Sequence, residues 1–497
     1  MKEPVVASPW YESAPIPFVA RRQSYPWLVV GTVCIGAFMG QVDASIAQLV
    51  LPVLERDFKA PVSSVSWVAI GYLLVVAALL PIFGRLADIM GRKLMYTAGF
   101  AVFIVGSALC GFASNLEPLI AARLLQGIGA ALLQANSVAI IVSAAGGSRR
   151  GRAIGLQGAA QALGLSTGPA LGGLLIQYLG WRWVFWLNVP FGVLGTAMGW
   201  LILPQTRLKS DRPSFDWGGA ALLAPAMTAM VIALNEGGSW GITSPALIGC
   251  VILAAALLAC FIRLEIHQRS PLLDISLFHN HAFSAGNVAG LLSYAVLFGM
   301  FFILPFVFER SYGASSLDAG LRLMVIPVMI GCIAPLSGAL SDRLGPQWLT
   351  VGGMLVTFTG LALLLLVLDG SVNRLWLVSI ALGVFGLGLG LFTAPNNSAI
   401  MAAASAEETG EAGGVLNVVR SFGTSVGIAM AAAVLSWQLA SLTGRSGDTL
   451  HAPQHDLLAA AHVVIDFLCG CAMLAACASL VGTGDTGTSR PTASPAQ

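Results

Sequence analysis

The stretch GRLADIMGRK, residues 84–93, is a short charged segment between two long apolar runs. A related stretch, GALSDRLGP, occurs at residues 338–346. Each copy lies between the second and third runs of a block of six, and two further runs fit between the blocks. The repeat therefore predicts two related six-helix bundles joined by two linker helices. Two bundles that face each other can expose a midplane site to alternate sides of a membrane.

The composition fits a lipid environment. Hydrophobic residues make up 57% of the 497-residue chain and charged residues 10%, against about 25% charged in soluble domains. Fourteen apolar runs are long enough to cross a bilayer as helices and too long for barrel strands. We therefore expect an all-α membrane protein with fourteen transmembrane helices, at residues 26–50, 65–83, 94–113, 119–142, 153–178, 184–203, 218–234, 245–263, 283–308, 319–339, 348–368, 375–400, 413–437 and 459–480.

Lysine and arginine predict the orientation, because cytoplasmic loops are enriched in them. The clusters within 92–93, 149–152 and 207–212 all fall on one side of the predicted helices. We expect this side to be the cytoplasm, with both termini on it and with the helices in the inner membrane. The predicted regions are an uncleaved amino-terminal tail at 1–25, an amino-terminal bundle at 26–204, linkers at 205–282, a carboxyl-terminal bundle at 283–480 and a tail at 481–497.

Several classes of protein are disfavoured. The net charge of +2 gives no basic excess for a nucleic-acid partner. All eight cysteines lie in apolar runs, where thiols usually pack as small hydrophobes, so we expect no disulfide, metal or cofactor. No connection is long enough for an enzymatic or ATP-binding domain. The expected partners are protons, a small-molecule substrate and the lipid bilayer, with a monomer as the functional unit and a periplasmic adaptor left open.

Charged and polar residues inside the spans are candidates for function, because burying them in a membrane is costly. Asp43 lies deep in the first run. On the fourth helix, five residues fall within about 80° of arc and cannot face lipid: Arg123, Gln126, Ala130, Gln134 and Ser137. Structural alternatives stay open, with Asp43 as a permanently ionised salt-bridge partner and Arg123 as a ligand of backbone carbonyls.

Several motifs resemble those of the major facilitator superfamily, in particular its fourteen-helix drug:proton antiporters. Residues 42–52, VDASIAQLVLP, are similar to the family's first-helix motif, with Gln48 where an asparagine is usual. Residues 84–93 are similar to the cytoplasmic signature, 123–127 (RLLQG) to the proton-coupling motif and 164–173 (GLSTGPALGG) to the antiporter motif. The resemblance covers nearly the whole chain and implies a major facilitator fold.

The resemblance also implies roles for residues. Asp43 and Arg123 would couple transport to protons, since an acid between an apolar wall and an arginine can titrate near neutrality. Asp88 would make a state-dependent contact with a helix end, within a gating set of Gly84, Asp88, Gly91, Arg92, Gly164, Gly168, Pro169, Gly172 and Asp342. The polar residues expected to line a substrate cavity are Gln41, Gln48, Gln126, Gln134, Gln157, Gln161, Asn417 and Arg420. For Asn417 and Arg420, bonding between helices is the alternative.

The function that these features indicate is proton-driven export of amphipathic small molecules, including drugs and antibiotics. One alternative is an exporter, or an importer, dedicated to a single metabolite; a neighbouring biosynthetic gene cluster would favour a dedicated exporter. A second alternative is a membrane sensor that transports nothing, which the short loops and tails disfavour.

The predicted topology can be tested with reporter fusions. A reporter joined after Leu480 should be active in the cytoplasm, because an even number of spans returns the chain to the side on which it began. A fusion after residue 58 should report the other side. A reporter that is external after Leu480 would contradict the fourteen-span, cytoplasmic-termini prediction.

Overall fold

The computed structural model describes residues 12, 14–146, 149–206, 215–241, 243–268, 271–405, 408–444 and 448–481. Over these residues it contains fourteen helices that are long and apolar enough to cross a membrane, and no strand. The prediction of an all-α membrane protein with fourteen spans is confirmed. The basic cluster at 207–212 lies outside the described residues, as do 1–11 and 482–497 of the predicted tails.

The spans are labelled α1 to α14 in chain order. Several extend beyond their predicted ends, as α1 does by continuing past residue 50 to Phe58, because a helix can continue past the apolar core of a bilayer. Their bounds are α1 Tyr25–Phe58, α2 Val62–Met90, α3 Arg92–Phe112, α4 Leu116–Ala145, α5 Arg150–Tyr178, α6 Arg182–Ile202, α7 Trp217–Trp240, α8 Pro245–His267, α9 His281–Ser311, α10 Ser316–Leu344, α11 Pro346–Val367, α12 Val372–Ala402, α13 Thr409–Thr443 and α14 Gln454–Val481.

Successive spans run in opposite directions, so α1 begins on the side of the molecule where α14 ends. We call this the tail side. Here the Tyr25 hydroxyl donates a hydrogen bond of 2.9 Å to the carbonyl of Ile202, at the end of α6. On the opposite side the Trp181 indole, just before α6, donates to the Asp57 carboxylate near the end of α1 at 3.0 Å. Contacts at both ends thus join α1 to α6.

Glycines on one face of α5 let it pack directly on α1. A Cβ at Gly164 would meet the carbonyl oxygen of Phe38, and one at Gly168 would overlap the Ser45 hydroxyl. One turn further, a Cβ at Gly172 would press on Ile46. Glycines four residues apart allow two helix backbones to approach closely, and here they bring α5 against the helix that carries Asp43.

The linker helix α7 contacts both bundles on the opposite side. The Asn235 side chain accepts a hydrogen bond from Ser66 at 2.9 Å and donates to the carbonyl of Ser63 at 3.1 Å, both at the start of α2. Gly238 lies against the backbone of Ala433 in α13, with no room for a Cβ. By contrast α8 faces outward, since only 11% of its most apolar 18-residue stretch is buried.

The glycine face predicts the effect of Gly168→Leu. The added side chain has to displace Ser45 and the carbonyl of Val42, and overpacking of this kind typically costs about 1–3 kcal/mol. We expect a lower melting temperature for the detergent-purified variant and reduced or leaky transport. Gly158→Leu is the matched control, since nothing lies within 4 Å of a Cβ at this position of the same helix. Equal melting temperatures for the two variants would refute the close contact.

Candidate functional site

The centre of the amino-terminal bundle holds a buried ion pair. Arg123 of α4 donates from Nη1 to Oδ2 of Asp43 in α1 at 2.7 Å, and the two side chains are 0% and 1% exposed. An isolated charge at this depth would destabilise the protein, and removing one partner of a buried pair leaves the other without a counter-charge. Each residue of the pair therefore requires the other in this arrangement.

Two side-chain amides complete the shell of Asp43. Its Oδ1 accepts hydrogen bonds from Gln126 at 2.8 Å and from Asn188 of α6 at 2.9 Å. The same Gln126 amide nitrogen lies 2.6 Å from the hydroxyl of Ser107 in α3. Three donors, one of them cationic, thus face the carboxylate. Each oxygen of the carboxylate thus accepts at least one hydrogen bond from another helix.

Arg123 also holds α2. Its Nε donates to the carbonyl of Val68 at 2.9 Å, and the Tyr72 ring lies 4.2 Å from the guanidinium carbon, within the range of a cation–π contact. Nη2 of Arg123 is buried without a hydrogen-bond partner among the described residues. The ion pair and its ligands therefore connect α1, α2, α3, α4 and α6.

A cavity with about 820 Å³ of empty space, counting its open mouth, lies between the two bundles near the middle of the helices. Tyr72 separates it from Asp43 and Arg123, neither of which lines it. The wall comes from seven helices, five of the amino-terminal bundle and two of the carboxyl-terminal bundle. Its residues are Gly36, Ala37, Gly40, Gln41, Ala44, Tyr72, Leu73, Val76, Tyr96, Ala130, Leu133, Gln134, Ser137, Gln157, Gln161, Leu165, Tyr294, Leu297, Phe298, Arg420, Ser421 and Thr424.

The structure places the predicted cavity residues in two groups. Gln41, Gln134, Gln157, Gln161 and Arg420 line the cavity. The other three do not: Gln126 belongs to the ion-pair network, Gln48 is fully buried with neither amide atom bonded to a described residue, and Asn417 is half-buried outside the wall. Helical periodicity gives the face of a side chain but not which neighbour that face meets. A role of any of the eight in substrate binding stays a prediction.

The cavity wall includes aromatic residues that the sequence analysis did not propose: Tyr72, Tyr96, Tyr294 and Phe298. Asn188 and Ser107, ligands in the ion-pair network, were also missed. Asn188 lies in a motif, Asn188-Val189-Pro190, that resembles the family, but the motif does not say which side chain its amide meets. Only the three-dimensional packing brings Asn188 to a carboxylate 145 positions earlier in the chain.

The predicted gating residues occupy two places. Gly164, Gly168 and Gly172 meet α1 as described, and the Pro169 carbonyl touches Gly320 of α10. On the tail side, Asp88 pairs with Arg92 at 2.8 Å. Gly91 takes a φ of +104°, a conformation that favours glycine and lets α3 start directly after α2. Gly84 has no neighbour within 4 Å of a Cβ, and Asp342, in the second copy of the repeat, is exposed.

The helix-end contact near this loop is made by Lys93. Its buried ammonium donates to the carbonyl of Leu203, just past the end of α6, at 2.8 Å. A cation is favourable at a helix carboxyl terminus. The buried carboxylate of Glu12, which precedes α1, accepts from the Thr206 amide at 2.7 Å and packs against Gly91. The predicted contact of Asp88 with a helix end stays a prediction.

The two bundles meet on the opposite side and close the cavity there. Gly173 of α5 lies against the backbone of Ser316, at the start of α10. The guanidinium of Arg310, in α9, donates to the carbonyl of Pro52 at 3.0 Å. Glu55 of α1, 1% exposed, accepts hydrogen bonds from the amide and the hydroxyl of Thr449, in the connection between α13 and α14. Sequence reasoning missed this buried acid because it lies near the predicted end of a span.

The sequence profile of the Major Facilitator Superfamily matches residues 33–428. The chain belongs to the major facilitator superfamily. This match includes the ion pair and every residue of the cavity wall, and it confirms the resemblance found in the motifs.

Curated relatives in this superfamily are transporters and resistance proteins. A riboflavin transporter, RibZ, of Clostridioides difficile (strain 630) is 35% identical over 410 residues, which cover 81% of this chain and 87% of that protein. The tetracenomycin C resistance and export protein of Streptomyces glaucescens is 31% identical over 409 residues, 82% of this chain and 75% of its own. The chain is therefore a membrane transporter by family.

A solved structure supports the fold. The crystal structure of a bacterial homologue of the human lysosomal transporter Spinster, in an inward-facing and unoccupied conformation, aligns with a TM-score of 0.65. It covers 93% of this chain and 98% of that one. At 15% identity the likeness concerns the fold alone, and it agrees with the major facilitator architecture expected from the repeat.

The ion pair predicts the outcome of Arg123→Ala. The variant leaves a buried carboxylate without its counter-charge, which typically lowers the free energy of unfolding by about 3–5 kcal/mol. Its melting temperature should therefore fall. We expect export to be abolished in the fraction that still reaches the membrane. The double variant Asp43→Asn with Arg123→Gln replaces the charges by amides and should recover stability without recovering export.

The control for this experiment is Arg374→Gln, at a position 60% exposed in a surface pair with Asp369. Surface pairs contribute little, so stability and export should both stay near wild type. Normal export by Arg123→Ala would reduce Arg123 to a packing role.

Proposed function

We propose that this transporter exports amphipathic small molecules across the cytoplasmic membrane in exchange for protons, with both termini in the cytoplasm. The observation that carries the proposal is the geometry of Asp43, an acid buried against an arginine and one side chain away from the central cavity. An exchanger requires a group that is charged in one access state and neutral in the other. A proton that crosses 100 mV supplies about 2.3 kcal/mol, before any pH gradient.

In the proposed mechanism, the ionised carboxylate of Asp43 holds Arg123 towards α1. Arg123 in turn holds α2 through the Val68 carbonyl and the Tyr72 ring. A proton on Asp43 removes the charge that keeps Arg123 in place. The motion then reaches the cavity through Tyr72, whose ring touches the guanidinium and also forms part of the wall.

The contacts on the opposite side supply the second element of the mechanism. Arg310 and Glu55 join α9 and α1 there, and Thr449 joins the carboxyl-terminal bundle to the same acid. These bonds have to break when the cavity opens to that side. Proton-driven rearrangement of α1 and α2 acts on the helix that carries Glu55, so both elements lie on α1, with Pro52 between them.

A second candidate function is transport of one metabolite. It is favoured by the relative named as a riboflavin transporter, which is 35% identical, while the relative named for tetracenomycin C resistance favours drug export. A susceptibility panel in a host that lacks its own pumps separates the two. Raised resistance to several unrelated drugs supports drug export and a role in antibiotic resistance, whereas no resistance, together with transport of riboflavin alone, supports the metabolite transporter.

Asp43→Asn tests the proton coupling. In proteoliposomes with an imposed pH gradient, the wild type should move riboflavin or a drug identified in the panel against its concentration gradient. Asp43→Asn keeps the size and removes titration, so uphill movement should be lost while substrate exchange at equal pH persists in part. Asp43→Glu should retain some activity with a shifted pH dependence.

The matched control is Asp318→Asn, the same chemical change at an exposed residue in the first turn of α10. It should leave uphill transport intact. If Asp43→Asn still pumps uphill and still releases protons when substrate binds, the coupling acid is another one. Glu309 and Asp466 are then the next acids to test, together with the buried Glu55.

A further inference from the structure

The wall of the central cavity carries a single sign of charge. Among the described residues, no aspartate or glutamate lines it, and Arg420 of α13 is its one permanently charged side chain. Low-dielectric walls strengthen the field of such a charge. The cavity therefore attracts anions and repels cations.

Arg420 has no partner within the part of the chain that the structure describes. It makes no hydrogen bond, ion pair or ring contact there, in contrast to Arg123, which binds a carboxylate, an amide oxygen and a carbonyl. A guanidinium offers five N–H donors in a planar fork that matches a carboxylate or another oxyanion. An unpaired one in a cavity is ready to bind such a group.

The neutral polar groups of the wall suit oxygen-rich molecules. The amides of Gln41 and Gln161 form no hydrogen bond within the described ranges, and Oε1 of Gln157 is buried without a partner. Amides can both donate and accept, so they pair with ligand carbonyls and hydroxyls. The rings of Tyr294 and Phe298, in α9, add flat surfaces on which an aromatic ligand can stack.

Asp43 does not serve as a counter-charge for a cationic ligand in the cavity. Both of its oxygens are already bonded, to Arg123, Gln126 and Asn188, and the side chain lies behind Tyr72, outside the cavity wall. A cation in the cavity would meet Arg420 without a counter-charge. Repulsion of the wrong ligand contributes to specificity as much as attraction of the right one.

We propose that the central cavity selects planar aromatic molecules that bear an acidic group, and that Arg420 binds this group. The inference rests on the proposed function in one respect, since it takes the cavity as the substrate site. It names the substrate class of that site.

Two xanthene dyes provide the test, because fluorescein is an anion and rhodamine 6G a cation at neutral pH while both share a three-ring core. Binding to the purified full-length protein in neutral detergent is measured by fluorescence anisotropy. We expect the wild type to bind fluorescein at least tenfold more tightly than rhodamine 6G. Arg420→Gln should weaken fluorescein binding by about ten- to a hundredfold, as expected for loss of a charged hydrogen bond, and leave rhodamine 6G binding equal or tighter.

Two further variants sharpen the test. Arg420→Lys keeps the charge but loses the planar fork, so it should retain part of the fluorescein affinity. Arg374→Gln removes an exposed arginine far from the wall and should change neither affinity. Melting temperatures of all variants establish that each one is folded.

Three results would overturn the proposal: tighter or equal binding of rhodamine 6G by the wild type, fluorescein binding that does not depend on Arg420, or binding of neither dye. A separate result concerns the proposed function. If fluorescein binds through Arg420 but is not moved uphill by a pH gradient in proteoliposomes, the ligand class stands and proton-driven export fails.

Discussion

A charge inside a membrane protein needs a partner of opposite sign, and the Asp43–Arg123 pair is where this constraint organises the amino-terminal bundle. The pair requires α1 and α4 to meet at one depth and one rotation. Further hydrogen bonds of the two side chains join three more helices to the pair. Arg123 binds α2 through the Val68 carbonyl, and Asp43 binds α6 through Asn188. Gln126, which binds Asp43, also contacts Ser107 of α3. Apolar contacts alone would tolerate sliding of these helices, whereas a buried hydrogen-bonded pair specifies their register.

The fifth helix of this bundle is positioned against α1 by glycines, whose lack of side chains allows a close contact. Its glycines allow α5 to meet α1 beside Asp43, and near the opposite side Gly173 and the Pro169 carbonyl meet the start of α10. One helix therefore packs both on the helix that carries Asp43 and on the other bundle. Rigid-body movement between the bundles has to break the α5–α10 contact, while the α5–α1 contact can persist within the moving unit.

The sequence predicted the features that depend on one helix at a time. Span number, the interior position of Asp43 and Arg123, and the glycine face of α5 all follow from hydropathy and a period of 3.6 residues. Contacts between distant segments did not follow: Asn188, Tyr294 and the Glu55–Thr449 contact each depend on which helices are neighbours. The locations of Gln48 and Gln126 outside the cavity wall did not follow for the same reason, because an inward-facing residue can meet a cavity or another helix.

Asp43 lies outside the cavity, and the side chain of Tyr72 lies between the two. In a site where a proton and a substrate compete for the same carboxylate, a cationic substrate is favoured, because it replaces the charge of the proton. Here Asp43 is fully bonded behind Tyr72, so in the proposed mechanism its proton acts on the substrate only through Arg123, Tyr72 and the position of α2. Coupling of this kind places no requirement on substrate charge. The cavity is then free to take its selectivity from its own wall, where Arg420 is the one permanent charge among the described residues.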